Sequence, residues 1–307
     1  MITQSFFEEF EVPDNFQLLI PGKTLHFYAG VDANNKPTVF ILTSVKPGNL
    51  QANGTISVET GRRRDGKWTL SFTLEKSDLL DVFSAFANDL VDSSLDVKSE
   101  KEGLAFVESR YEAWREIMAS GHSGLLSLNA IKGLTGEMYF LLHYMIPTYG
   151  VEKSVLSWIG PREAAQDFVV DDTWYEIKTI ASSSEAVTIS SLEQLDSNQQ
   201  GELVVQYADK TSITNQSGCT VNQLYKQLME LVESRVDLKQ LLQNELQKMG
   251  YLPISYYDNF AFVFKTVSYY QVNASFPALR RRKIPNSIAG AVYQISLSAI
   301  EPFKKEG

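Results

Sequence analysis

Cysteine is almost absent from this chain of 307 residues, because Cys219 is its only example. An internal disulfide and a cysteine-rich zinc site are therefore excluded. The three histidines are scattered along the sequence, and none lies in an H-E-x-x-H pattern. The sequence has no G-x-S-x-G elbow and no P-loop motif, which argues against a serine hydrolase and a P-loop ATPase.

Long apolar runs are also missing. No stretch approaches the roughly 18 uninterrupted apolar residues that a membrane-spanning helix needs. The first residues, MITQSFFEEFEVPDN, are acidic and lack the basic segment and apolar run of a signal peptide. We therefore expect a protein of the reducing cytoplasm, without a membrane partner.

Positive charge is scarce, since the formal net charge is -9. Phosphate binding needs basic surface, so this balance argues against a protein that nucleic acid covers on all sides. Two basic clusters remain, at 62–64 and 280–283, and each is typical of a solvated loop. The second cluster also suggests contacts to a phosphate backbone. Its candidate nucleic-acid-binding residues are Arg280, Arg281, Arg282 and Lys283.

Hydrophobic residues make up 44% of the chain and aromatic residues 11%, which is ample for a packed interior. From about residue 16 to 76, β-rich runs separated by turn formers predict an antiparallel sheet or a small barrel. Helical spacing begins near residue 77, and a helix over about 127–144 ends at Pro147 and Gly150. The predicted domains are a β-rich domain over 1–76, a helical connector over 77–126, and a core with a C-terminal extension over 127–307.

The predicted core alternates between strands and helices. Strands are expected at 154–159, 165–170 and 173–180, and 185–189 is expected to continue the same sheet. A helix is expected around Leu192, and a long amphipathic stretch covers 222–249. This order predicts an α/β fold with a mixed sheet flanked by helices.

The most informative segment is QDFVVDDTWYEIKT, residues 166–179. Strand residues alternate between faces, so Glu176 and Lys178 project to one side of their strand. If Asp171 and Asp172 form a two-residue turn, Asp167 lies directly opposite Glu176, at roughly 4.5–5.5 Å between Cβ atoms. A three-residue turn would instead make Asp167 a diagonal neighbour.

Two close carboxylates and an ammonium suit a divalent-metal site. Like charges in close pairs cost stability unless a cation neutralises them, and Mg²⁺ prefers carboxylate, carbonyl and water oxygens. Asp167 and Glu176 are the candidate ligands, with the backbone carbonyl of Ile177 as a third. Lys178 would orient the attacking water and offset charge developing on a phosphate. Mn²⁺ is the expected substitute metal.

This pattern resembles the PD-(D/E)XK nuclease superfamily, whose signature is an acidic residue ending one strand and E-x-K on the next. The upstream segment GLTGE, residues 133–137, resembles the helix that carries an accessory metal-binding glutamate in many members, which implies that role for Glu137. The order of these motifs along the chain also resembles that of a family of PD-(D/E)XK-like proteins found near bacterial restriction and phage-defence genes. That family was once classed as a domain of unknown function. Gln166 departs from the pattern, because proline usually precedes the aspartate.

The resemblance implies a restriction-endonuclease-like mixed β-sheet core flanked by helices, beside the N-terminal β-rich domain. It also implies a catalytic cluster of Glu137, Asp167, Glu176 and Lys178 that hydrolyses DNA with Mg²⁺. The expected partners are DNA, a second copy of the chain in a homodimer, and other restriction or defence proteins. Ser191 and Gln194 match an S-x-x-Q capping box, with phosphate contact as an additional role.

Two other functions stay open. One is a non-catalytic subunit of a defence complex that keeps the nuclease fold, which the acidic balance and Gln166 favour. The other is a ligand-binding β domain in which E-x-K is accidental, since glutamate and lysine at alternating positions are common on exposed strands. A fold without adjacent strands carrying Asp167 and Glu176 would favour the last possibility.

Overall fold

The computed structural model describes residues 2, 4–21, 24–94, 97–119, 125–160, 165–197 and 199–305. Two compact units divide the chain: Met1–Leu126 with Gly250–Tyr256, and Ser127–Met249 with Tyr257–Gly307. Within the described ranges, no helix is both long enough and apolar enough to cross a membrane. The predicted boundaries at residues 76 and 126 stay predictions.

The first unit is built on a five-stranded antiparallel sheet with the order β1-β2-β3-β5-β4. Alternate residues of β5, Leu70, Phe72 and Leu74, are buried, whereas Ser71 and Thr73 are half-buried on the other face. This period of two is the pattern that predicted the sheet. The strands are β1 Asn15–Pro21, β2 His26–Val31, β3 Pro37–Thr43, β4 Ile56–Arg62 and β5 Trp68–Leu74.

Helices cover the apolar face of this sheet. Phe72 of β5 packs against Phe86 and Tyr111, with ring centroids 5.4 and 5.0 Å away. The buried carboxylate of Asp89 accepts hydrogen bonds from the guanidinium of Arg110, at 2.6 and 2.8 Å, which ties the two longer helices together. The helices of this unit are α1 Gln4–Glu8, α2 Leu80–Ser93 and α3 Glu100–Ala119.

The second unit contains a five-stranded mixed sheet with the order β10-β11-β9-β7-β6. β7 and β9 are parallel, and the other neighbouring pairs are antiparallel. Its strands are β6 Phe168–Val170, β7 Thr173–Ile180, β9 Gln200–Thr211, β10 Cys219–Thr220 and β11 Ala261–Val272. The mixed sheet and its flanking helices confirm the predicted α/β fold class.

The expected continuation of this sheet at 185–189 is wrong. The segment forms β8, Ala186–Ile189, which pairs with β12, Tyr293–Ser296, in a separate two-stranded sheet. Val187 and Ile189 are buried with Trp174 in one apolar cluster, so this small sheet covers the face of the mixed sheet on which Trp174 and Glu176 lie.

The helices of the second unit begin with α4, Leu128–Phe140, which continues through a π-helical turn, Leu141–Met145, into a short helix that ends at Gly150. The strand predicted for 154–159 is also wrong, because Val151–Ser157 is helical and buries Ser154 and Val155. Apolar residues four apart satisfy a helix as well as a strand. The remaining helices are α5 Ile146–Tyr149, α6 Val151–Ser157, α7 Val221–Leu231, α8 Val236–Lys248 and α9 Leu297–Ile300.

Candidate functional site

The turn between β6 and β7 fixes which side chains meet. Val170 pairs with Thr173, so Asp171 and Asp172 form the two-residue turn, and Asp171 has a φ of 51°. The same register places Asp167, just before β6, opposite Glu176. The alternative of a three-residue turn is thereby excluded.

Asp167 caps the free edge of β7. Its Oδ2 accepts a hydrogen bond from the backbone N–H of Ile177 at 2.7 Å, where a longer β6 would have continued the ladder. Its backbone carbonyl accepts from the N–H groups of Ile159 and Gly160, both at 2.9 Å. Since the N–H and C=O of one strand residue point to the same side, the Ile177 carbonyl also faces this edge.

Glu176 lies beneath the small sheet and is 1% exposed. Its Oε1 lies 2.8 Å from the Nζ of Lys178 in an ion pair. Even so, among the described residues neither of its carboxylate oxygens receives an aligned hydrogen bond. Burial, reinforced by the charge of Asp167, raises the pKa of Glu176 well above its ordinary value, and Lys178 opposes the shift.

Gln194 holds the ammonium of Lys178. The Gln194 Oε1 accepts from Lys178 Nζ at 3.1 Å and from the backbone N–H of Ser190 at 2.8 Å. The predicted capping box is therefore wrong, because a 3₁₀ turn over Glu193–Leu195 begins there without a side-chain cap. Gln194 faces Lys178 rather than the start of a helix.

α4 packs against β7 through a glycine. Ser127 caps this helix by accepting from the N–H of Ala130. A Cβ on Gly136 would lie 1.7 Å from the Oγ1 of Thr179, so the helix approaches the strand more closely than any side chain allows. The buried Nε2 of Gln206 also donates to the Gly136 carbonyl at 2.9 Å. This close approach positions the next residue, Glu137, beside the edge of β7.

Glu137 and Asp167 face each other across Gly160. A Cβ on Gly160 would lie 3.0 Å from Asp167 Oδ1 and 3.5 Å from Glu137 Oε2, so the absence of a side chain leaves a gap between the two carboxylates. Trp158 Nε1 donates to Glu137 Oε2 at 2.8 Å. Burial raises the pKa of Asp167 to about 6, against the opposing charge of Lys178. Burial and then the charge of Asp167 raise the pKa of Glu137 well above its ordinary value.

One cleft of about 670 Å³ collects these groups. The sequence-predicted residues that line it are Glu137, Asp167, Glu176, Ile177, Lys178 and Gln194. Thr188 and Gln294 of the small sheet contribute another part of its wall. Ser191, the remaining residue predicted near Gln194, does not line this cleft.

Sequence reasoning missed Asn129 and Lys132, which also line the cleft from α4. Lys132 is half-buried, and burial lowers the pKa of its ammonium, with an opposing attraction to Asp209. Residues 129, 132, 133, 136 and 137 fall on one face of a helix, so helical spacing counted back from Glu137 could have found both.

The basic cluster divides into two roles. Arg280 is 7% exposed, and its guanidinium donates to the carbonyls of Leu195 and Asn273 beside the carboxylate of Asp196. These contacts argue against the predicted role of Arg280 in binding nucleic acid. Arg281 is half-buried and its guanidinium donates to the Ile288 carbonyl. Arg282 and Lys283 are exposed. A second cavity, of about 680 Å³, includes Arg280, Arg281, Arg282 and Asn286 in its lining.

A magnesium site can be assessed from the donors at the β7 edge. In the described part of the chain, no three histidine, cysteine, aspartate or glutamate side chains are placed to hold one ion, so the expected cluster of three carboxylates around a common ion is not formed. Mg²⁺ usually takes one or two carboxylates and keeps several waters. The carboxylates of Asp167 and Glu176 and the Ile177 carbonyl fit that smaller donor set.

Comparison with known protein families identifies a match to this chain. A family model described as "Putative PD-(D/E)XK family member, (DUF4420)" matches residues 8–298, nearly the whole chain. No curated protein and no solved structure matches.

Proposed function

Because the chain belongs to this PD-(D/E)XK family, we propose that it is a metal-dependent nuclease that hydrolyses phosphodiester bonds of DNA. The observation that carries the proposal is the convergence of Asp167, Glu176 and Lys178 on one cleft, with the buried carboxylate of Glu176 lacking an aligned hydrogen-bond donor among the described residues. Lys178 supplies one ammonium for the two buried carboxyl groups of Glu176 and Asp167, and an excess of buried negative charge is costly in a purely structural role. Binding of a cation would offset that cost.

Asp167, Glu176 and the Ile177 carbonyl are the groups that would hold Mg²⁺, or Mn²⁺ in its place. When bound, such an ion lowers the pKa of a coordinated water and stabilises negative charge on the phosphate. The N–H of Ile177 fixes the orientation of Asp167. Glu137, which accepts a hydrogen bond from Trp158, lies beside Asp167 at the same edge.

Lys178 orients the attacking water and offsets charge on the phosphate. Gln194 and Glu176 hold its ammonium at 3.1 and 2.8 Å, which limits the positions that the amine can adopt. Lys132 would contact a neighbouring phosphate, because a half-buried ammonium lacking a hydrogen bond or ion pair among the described residues suits an anion. Arg282 and Lys283 are available for the DNA backbone at longer range.

The cellular role proposed is restriction or phage defence, as an extension of the family resemblance. A single cluster cuts one strand at a time, so cleavage of duplex DNA would favour a homodimer. Analytical ultracentrifugation with and without duplex DNA measures whether the chain is a monomer or a homodimer. A species that stays monomeric while cutting both strands at one position would exclude the dimer.

Cleavage of plasmid and single-stranded DNA with Mg²⁺, Mn²⁺ or EDTA tests the proposal. Wild type and the control Lys226→Ala, an exposed residue of α7 outside the cleft, should cut equally. Lys178→Ala and Asp167→Ala should lose at least about 100-fold in rate while remaining folded. Folded wild type that binds DNA or a partner protein without any metal-dependent cutting would support the non-catalytic subunit instead.

A further inference from the structure

A third cavity lies on the α4 side of the mixed sheet. It has a volume of about 300 Å³, and it shares no lining residue with the cleft described above. Tyr175 contributes to this cavity and the adjacent Glu176 to the cleft, because consecutive strand residues point to opposite faces. The lining residues are Phe140, Tyr144, Met145, Thr148, Tyr149, Tyr175, Glu202, Tyr269 and Lys305.

The π-helical turn after α4 forms one wall. It spans Leu141–Met145 and carries Tyr144 and Met145 of the lining. Single π-helical turns are rare in proteins, and those that occur are often found at functional sites. The ring of Tyr144 stacks on Phe140, with centroids 5.4 Å apart, and meets Tyr269 edge-on at 6.2 Å. The wall is therefore a set of aromatic surfaces rather than aliphatic core.

The tyrosine hydroxyls provide neutral hydrogen-bonding groups. The hydroxyls of Tyr149 and Tyr175 lie 3.2 Å apart. Burial raises the pKa of Tyr175, and the hydrogen bond with Tyr149 adds to the shift. Burial also raises the pKa of Tyr269. All three rings are half-buried at the cavity. One hydroxyl of the Tyr149–Tyr175 pair donates to the other, so the hydroxyl that accepts keeps its own O–H for a ligand, and both retain acceptor capacity.

The floor of the cavity carries a buried carboxylate. Glu202, paired in register with Tyr175, is 9% exposed, and its Oε1 accepts from the Nζ of Lys305 at 2.6 Å. Its Oε2 accepts no hydrogen bond from any residue that the structure describes, and Glu202 is one of the residues that line the cavity. Since Lys305 already neutralises the carboxylate, a ligand with a net charge gains little here. A neutral ligand that donates an N–H can still bind Oε2.

We propose that this cavity binds a heteroaromatic ring of the nucleobase class. Such a ring is flat and neutral, stacks on aromatic side chains, and carries both N–H donors for Glu202 and acceptors for the tyrosine hydroxyls and Lys305. The cavity volume lies at the small end of ligand sites, about 300 to 1,000 Å³, which suits a single ring system. The ring belongs either to a free nucleoside or nucleotide, or to an unpaired base of a single strand.

Titration calorimetry with metal-free full-length protein tests the site. The ligands are adenosine, cytidine, guanosine and uridine, their monophosphates, and short single-stranded oligonucleotides of each base. Lys226→Ala is the control, since that exposed residue of α7 lines neither this cavity nor the cleft. Binding of a free nucleoside identifies the small-molecule source, whereas binding of oligonucleotides alone identifies an unpaired base.

Three variants, at Glu202 and Tyr149, test whether the ligand binds in this cavity. Glu202→Gln should weaken binding by about tenfold or more, because the hydrogen bond to a charged acceptor is lost. Tyr149→Leu should weaken it by a similar factor through lost stacking, whereas Tyr149→Phe should retain most of the affinity. Glu202→Gln is checked by its melting curve, and if it does not fold the Tyr149 pair decides. Absence of binding by every ligand up to millimolar concentration, or binding that the folded variants leave unchanged, overturns the proposal.

Discussion

The contact between α4 and β7 offers a sharp test of how the cleft is assembled. In Gly136→Ala the new methyl group would lie 1.7 Å from Thr179 Oγ1 and 2.9 Å from Thr179 Cβ. A rotamer change of Thr179 can move the hydroxyl but cannot move Cβ. The distance of 2.9 Å to Thr179 Cβ is about 0.5 Å shorter than the 3.4 Å at which ordinary van der Waals contact begins. α4 must therefore move away from β7.

The expected cost follows from that displacement. Overpacking of this kind costs about 1 to 3 kcal/mol, and the better helix propensity of alanine returns about 0.5 to 1 kcal/mol. We therefore expect Gly136→Ala to lower the free energy of unfolding by about 1 to 2 kcal/mol. The matched control is Gly133→Ala on the same helix, where a Cβ meets nothing within 4 Å. The free energy of unfolding of Gly133→Ala should be about 0.5 to 1 kcal/mol higher than that of wild type.

Chemical denaturation of both variants measures the difference, and cleavage rates measure its effect on Glu137. Gly136→Ala should lose at least about tenfold in rate, because small misplacements of catalytic groups are costly. Thr179→Gly removes all the clashing atoms and should restore part of the rate in the double variant. Equal stability and equal rate for Gly136→Ala and wild type would refute the packing argument.

Three further predictions concern the cleft. Asp167→Asn should stabilise the metal-free protein at pH 7.5, on the order of 1 to 3 kcal/mol, because the pKa of the buried carboxyl is raised from 3.8 to about 6. The protonated carboxyl of wild-type Asp167 contributes its full stability below pH 4, and that contribution is lost as the pH rises through 6. The free energies of unfolding of wild type and Asp167→Asn should therefore converge near pH 4, and a difference between them that is independent of pH would contradict this. Added Mg²⁺ should raise the melting temperature of wild type, with about 2.7 kcal/mol of stabilisation at 100 times its Kd, whereas Glu176→Gln should respond little. In fluorescence anisotropy, Lys132→Gln should reduce the slope of log affinity against log salt by about 0.7 to 0.9, and Lys226→Gln should leave the slope unchanged.

Local sequence signals predicted the part of the site that local structure builds. The alternation of Tyr175, Glu176, Ile177 and Lys178 and the Asp171-Asp172 turn determine both faces and the register of the hairpin within fourteen residues. Those features depend on side-chain periodicity and turn geometry, which the chain carries without its tertiary partners. The strands of the first unit were predictable for the same reason.

Contacts between segments that are distant in the sequence determine the features that were predicted wrongly. Arg280 looked like a free basic residue because the carbonyl that it binds belongs to Leu195, 85 positions earlier. β8 looked like a continuation of the mixed sheet because its partner, β12, lies far downstream. Gln194 fitted a capping box by spacing alone, but Lys178 occupies its side-chain oxygen. Each error follows from a contact between distant segments that sequence periodicity does not encode.

The small sheet that joins β8 to β12 has a consequence for biosynthesis. Gln294 Nε2 donates to Thr188 Oγ1 across 106 residues, and both side chains form part of the cleft wall. During translation the acidic groups leave the ribosome long before this strand does. The apolar cover over Glu176 is therefore incomplete until the last part of the chain has emerged. A nascent polypeptide thus carries Asp167, Glu176 and Lys178 before the wall of the cleft that Gln294 contributes has formed.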